Sequence, residues 1–156
     1  MGARGTLVLA LLIASTARAA DFAVNAGALE VVGLPPQHLG LYLYAGGSAA
    51  FVSEHAALVP GLSFEVAPEN GRLGLVATVV ADYPVASGLG LDAQLALIHD
   101  QQGFDFKTAV FFAGAGAGVS FFLGKFTVSP FVNLFVELDA TRALSLVPGV
   151  NVAYAL

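Results

Sequence analysis

The chain has 156 residues, of which 57% are hydrophobic and 11% charged, with a mean hydropathy of +0.81 and a formal charge of −5. That length suits one domain, and so apolar a composition requires something other than water over part of the surface. The absence of cysteine excludes disulfides and thiolate metal sites, and the acidic balance excludes a nucleic-acid surface, which needs clustered Lys and Arg.

Arg4, the apolar run from Leu7 to Ala14 and the small-residue series Ser15 to Ala20 read as a secretory leader, cleaved after Ala19 or Ala20. The run is too short to span a bilayer as a helix, which takes roughly 20 residues. The expected division is a leader over 1–20 and one domain over 21–156. Removing the leader takes Arg4 and Arg18 and no acid, so four cations face eleven acids and the mature charge is −7.

From Asp21 onward apolar residues recur at every second position, the mark of a strand with one apolar face. Leu73, Leu75, Ala77, Val79 and Ala81 do so, as do Leu89, Leu91, Ala93, Leu95 and Leu97, and Val150, Val152, Tyr154 and Leu156. Turn-forming clusters separate the runs: LPPQ at 34–37, SEHA at 53–56, PENG at 68–71, PVAS at 84–87, HDQQG at 99–103, GK at 124–125 and DATR at 139–142. Seven breaks make eight strands. The four-residue PENG loop sets Ala67 opposite Arg72, Val66 opposite Leu73, Phe64 opposite Leu75 and Leu62 opposite Ala77, and each apolar pair shares a face.

The uncharged stretch from Thr108 to Gly124 admits two readings. Gly114 and Gly118 form a small-x-x-x-small pair suited to a membrane helix, but each glycine costs roughly 1 kcal/mol in a helix interior. Read instead as a strand turning at Gly124–Lys125, the stretch pairs Leu123 with Phe126, Phe121 with Val128, Gly118 with Phe131, Gly116 with Asn133 and Gly114 with Phe135. The glycines then fall opposite bulky residues, as spaces for Phe131 and Phe135 inside a narrow barrel. On this reading Phe111 and Phe121 stand about 25 Å apart along the barrel axis, the height of an outer-membrane apolar band. Phe22, Phe51, Tyr83, Phe126 and Tyr154 fall at one rim, as an aromatic girdle would.

These features resemble the small outer-membrane β-barrel proteins of Gram-negative bacteria, across the whole mature chain. The resemblance implies an all-β, closed, antiparallel up-and-down transmembrane barrel of eight strands. It also implies localisation to the outer membrane, with membrane lipid and the barrel-insertion machinery as partners, and a monomer. Tyr154 and Leu156 match the spacing of that family's C-terminal recognition pattern, although Leu replaces the terminal Phe and Asn151 stands near the usual glycine. All seven connections are short, which disfavours adhesion through large loops. Pro60, Pro130 and Pro148 lie within strands and are expected to bulge there. Glu30 is out of phase with Asn25, so the first strand either bulges or leaves the membrane before it.

The face opposite the apolar one carries Glu65, Asp82, Asp92, Gln94, Asn133, Glu137 and Asn151, with Tyr42 and Tyr44 beside them and Arg72 as a cation at the rim. Buried carboxylates without cations must find hydroxyls, water or a proton, so a partly wet interior network is expected. Asp92 is expected diagonal to Asp82. His38, His55 and His99 make no site, Ser53-Glu54-His55 reads as an ordinary turn, and the GAGAG run lacks the Lys-Ser/Thr and βαβ context of a phosphate loop. No catalytic, cofactor or metal site is expected. The preferred function is a non-enzymatic envelope barrel or a very narrow polar passage. The alternatives are a soluble lipocalin-like carrier, which requires the leucines to face inward, and a lipid-modifying barrel enzyme.

Overall fold

A computed structural model describes residues 21–34, 37–139 and 142–156. The leader assigned to 1–20, and the middle of the LPPQ and DATR breaks, lie outside these residues. The described chain forms β1 (Asp21–Leu34), β2 (Gln37–Val52), β3 (Ala57–Ala67), β4 (Arg72–Ala86), β5 (Leu89–Gln102), β6 (Asp105–Leu123), β7 (Phe126–Glu137) and β8 (Leu144–Ala155). Each strand pairs antiparallel with the next, and β8 closes on β1 into a barrel. The stretch from Thr108 to Leu123 is strand, and among the described residues no helix is long and apolar enough to cross a membrane.

The register expected for β3 and β4 is the one observed, from Ala67↔Arg72 to Leu62↔Ala77. So is that of β6 and β7, from Leu123↔Phe126 to Gly114↔Phe135. Gly124 has φ +69°, which a glycine-first two-residue hairpin demands. Two breaks are displaced: β4 continues through Ala86 and β5 through Gln102, so those turns sit at Ser87–Gly88 and Gly103–Phe104.

The expected bulges at Pro60, Pro130 and Pro148 are absent. Around Pro60 the β2–β3 register is the same on either side, Ser48↔Gly61 and Phe51↔Leu58, and Pro60 still pairs with Val79 of β4. Pro130 likewise pairs with Val150 while the β6–β7 ladder skips two rungs, and Pro148 pairs with Val132 while the β1–β8 ladder skips two. An antiparallel residue directs its N–H and C=O to the same neighbouring strand. A proline therefore interrupts one ladder and leaves the other whole. Register shifts fall instead at Val31/Val32, Pro84/Ala86 and Asp100/Gln102. Glu30 precedes the first of these and faces outward with Phe22 and Val24.

Exposure fixes which face is which. Leu95 and Leu97 are 57% and 58% exposed, while Asp92, Gln94, Ala96 and Ile98 between and beside them point to the barrel axis. Phe126 and Tyr154 stack at the girdle rim, ring centroids 5.0 Å apart. The outer wall is apolar and the interior carries the acids and amides.

Candidate functional site

Glycines on the barrel wall determine how the interior is filled. A side chain at Gly114 would run into the Phe135 ring, at Gly149 into the Phe131 ring, at Gly116 into Asn133, at Gly90 into Asp82 and at Gly74 into Glu65. Each of these inward side chains lies over a glycine of a neighbouring strand. Phe135 occupies the slot expected at Gly114. The Phe131 ring, by contrast, rests on Gly149 of β8, and Gly118 meets only its Cβ. Replacing Gly114 by leucine is expected to displace the Phe135 ring, which is 3% exposed, and to cost about 1–3 kcal/mol by overpacking. Ala115→Leu, on the outward face of the same strand, is the control with little effect in a urea titration of the folded barrel.

Two cavities open inside the barrel among the described residues. The larger, about 350 Å³, runs from the Gly124–Lys125 rim past Tyr44, Asp82, Asp92, Gln94, Asn133 and Asn151. The smaller, about 30 Å³, lies toward the opposite rim between Tyr42, Glu65, Asp100 and Ser145. Leu29, Ile98 and Phe135 line both, and together with Val147 they form a buried apolar septum.

On the far side of the septum Arg72 Nε donates to Asp100 Oδ2 at 2.6 Å, and Tyr42 Oη donates to the same oxygen at 3.3 Å. Glu65 lies beside them over Gly74. The turn cluster HDQQG contains Asp100, yet the residue belongs to the barrel wall. The continuing two-residue period Asp92, Gln94, Ala96, Ile98, Asp100 is the signal that places it inside. Glu137, at the end of β7, is half-buried near that rim and lines neither cavity; its backbone N–H bonds the Ala143 carbonyl.

In the larger chamber Asp82 and Asp92 are direct cross-strand partners rather than diagonal ones. The cause is a turn tightened to Ser87–Gly88, followed by a one-residue bulge at Val85 between Pro84↔Gly90 and Ala86↔Leu89: without the bulge Asp82 would stand opposite Ala93 and every side chain of β4 beyond would face the wrong way. Ser120 Oγ donates to Asp92 Oδ2 at 2.7 Å, so the 2.8 Å contact between the two hydroxyls makes Ser129 the donor to Ser120. Tyr44 Oη donates to the Val150 carbonyl and to Asn151 Oδ1. Asn25 Oδ1, Asp82 Oδ1, Asp92 Oδ1, Gln94 Nε2 and Asn133 Oδ1 are buried with no protein partner.

Superposition on solved structures matches this architecture. Neisserial surface protein A aligns over 90% of this chain and 99% of its own with a TM-score of 0.59 and 11% identity. The fold is that of the small outer-membrane β-barrels. The N-terminal barrel domain of Pseudomonas aeruginosa OprF (TM-score 0.48, 16% identity, 85% of this chain and 97% of that one) and Ail of Yersinia pestis (0.49, 9%, 88% and 97%) superpose less closely. No family model and no curated protein matches the sequence.

Among the described residues, Ser53, His55 and His99 make no hydrogen bond to one another. The Ser53 hydroxyl is engaged in its own turn, donating to the Ala56 carbonyl at 2.8 Å. His55 is exposed, and His99 faces outward against Phe111 with ring centroids 5.0 Å apart.

Proposed function

We infer that this chain is a non-enzymatic structural barrel of the bacterial outer membrane, monomeric and closed to through-flow. The observation that carries the reading is orientation: large apolar side chains such as Phe64, Leu95 and Leu97 cover the outside while acids and amides line the axis. A soluble carrier needs the reverse, and a band of this kind about 25 Å tall suits lipid. Recognition by the insertion machinery is supported by Tyr154, exposed on the outer face of the final strand, and Leu156, exposed just beyond it; the Leu156 N–H donates to the Phe22 carbonyl and so seals the seam with β1.

The septum argues for a closed structure over a polar passage, because conduction through Leu29, Ile98 and Phe135 would strip an ion of its hydration with no polar ligand in return. The test has two parts. The mature chain should fractionate with the outer membrane and show heat-modifiable migration on detergent gels, and recovery as a freely soluble protein would end the assignment. In planar bilayers it should give no steady conductance, whereas the double variant Leu29→Ala/Phe135→Ala, which opens the septum, should admit ions. Stable channels from the unaltered chain would restore the passage reading.

A further inference from the structure

We propose that the larger chamber is a binding site for a small organic cation, a protonated amine carrying a compact apolar body, which enters from the Gly124–Lys125 rim. At about 350 Å³ the chamber falls within the range of ligand pockets, roughly 300–1,000 Å³. The glycine slots keep Phe131, Phe135, Asp82 and Asn133 against the wall and so hold the centre open.

The wall has two chemistries. Val80, Phe122 and Phe131 give it apolar surface. Interleaved with them are acceptors: Asp82 and Asp92, cross-strand partners each 8% exposed, and Asn133, 5% exposed, all with an Oδ1 that no protein donor reaches. The Ser120 hydrogen is already given to Asp92 Oδ2. Lys125, the cation at the mouth, is held elsewhere: its ammonium lies 5.5 Å from the centroid of the outward-facing Tyr154 ring. Among the described residues, neither of the neighbouring Asp82 and Asp92 carboxylates forms a salt bridge.

A ligand that supplies positive charge and N–H donors gives the two acids a partner, and charge-assisted bonds of this type are the strong ones. A neutral or anionic ligand leaves the carboxylates desolvated and unpaired. A bare metal ion fits less well. Among the described residues no group of three His, Cys, Asp or Glu side chains comes together to hold one, and the apolar surface would go unused. That the mouth opens to the periplasm rests on the outer-membrane reading; the binding itself does not.

To test this, the mature chain in nanodiscs of zwitterionic lipid is titrated with 4-phenylbutylammonium, 4-phenylbutanol and 4-phenylbutyrate while the side-chain amide resonances of Gln94 and Asn133 are followed. The expected result is a saturable shift with the ammonium, binding about tenfold weaker or worse with the alcohol, and none with the carboxylate. Asp82→Asn/Asp92→Asn should lose about tenfold or more for the ammonium. Ala153→Phe, which fills the chamber without touching either acid, should abolish the shift, and it decides the matter if the double variant does not fold. Equal affinity for ammonium and alcohol, no saturable shift with any probe, or full binding to Ala153→Phe would each overturn the proposal. A failure of the outer-membrane assignment would show in fractionation and would leave these titrations readable.

Discussion

Replacing Arg72 with leucine is expected to destabilise the folded barrel by about 3 kcal/mol, through a charge pair whose acidic partner cannot return to water. Asp100 has 7% of its side chain exposed, and Oδ2 receives both the 2.6 Å bond from Arg72 Nε and the Tyr42 hydroxyl. Breaking a buried pair by deleting one partner costs about 3–5 kcal/mol, because the remaining charge is left uncompensated. The lower end applies here, since Arg72 is 24% exposed. Urea titration of the folded protein measures the loss. The double variant Arg72→Leu/Asp100→Asn should recover most of it by removing the stranded charge. A loss below about 0.5 kcal/mol, the worth of a surface pair, would mean that Asp100 is solvated.

That pair also shows where sequence reasoning stops. The faces of the strands were legible because a two-residue period states directly which residues share a side, and Leu89 to Leu97 keep that period without a break. The β3–β4 and β6–β7 registers were legible because a short turn ties the two strands together, and nothing between PENG or GK and the middle of the barrel slips. Register was lost where a bulge intervenes. The turn tightened to Ser87–Gly88 and the extra residue at Val85 together convert an expected diagonal between Asp82 and Asp92 into direct opposition. Asp100 was hidden for a related reason: HDQQG is rich in turn-forming residues, but the barrel wall needs it as strand, and its pairing with Val110 continues the ladder to the rim. The slot under Phe131 was missed because it belongs to Gly149, on the strand not joined to Phe131 by the glycine-rich hairpin. Cross-strand contacts of this kind depend on tilt and twist as well as register.

Two adjacent residues give the sharpest test of the orientation on which every functional statement depends. Leu95 and Gln94 stand in the middle of β5 on opposite faces: Leu95 is 57% exposed on the outer wall, and Gln94 lines the larger chamber beside Asp92. Leu95→Lys is expected to cost about 2–4 kcal/mol when the protein is folded into lipid vesicles, the range for a cation on the lipid face near the bilayer midplane. Gln94→Lys keeps nearly the same volume and brings an ammonium to the face that carries Asp82 and Asp92. It should be neutral within about 1 kcal/mol or stabilising, since two desolvated carboxylates gain a partner. The difference between the two variants, read from urea midpoints in the same vesicles, cancels the intrinsic cost of a lysine in a strand. A barrel that solvated its outside with water would reverse the order: the ammonium introduced by Leu95→Lys would then lie in bulk solvent, and the one introduced by Gln94→Lys would displace part of a buried core.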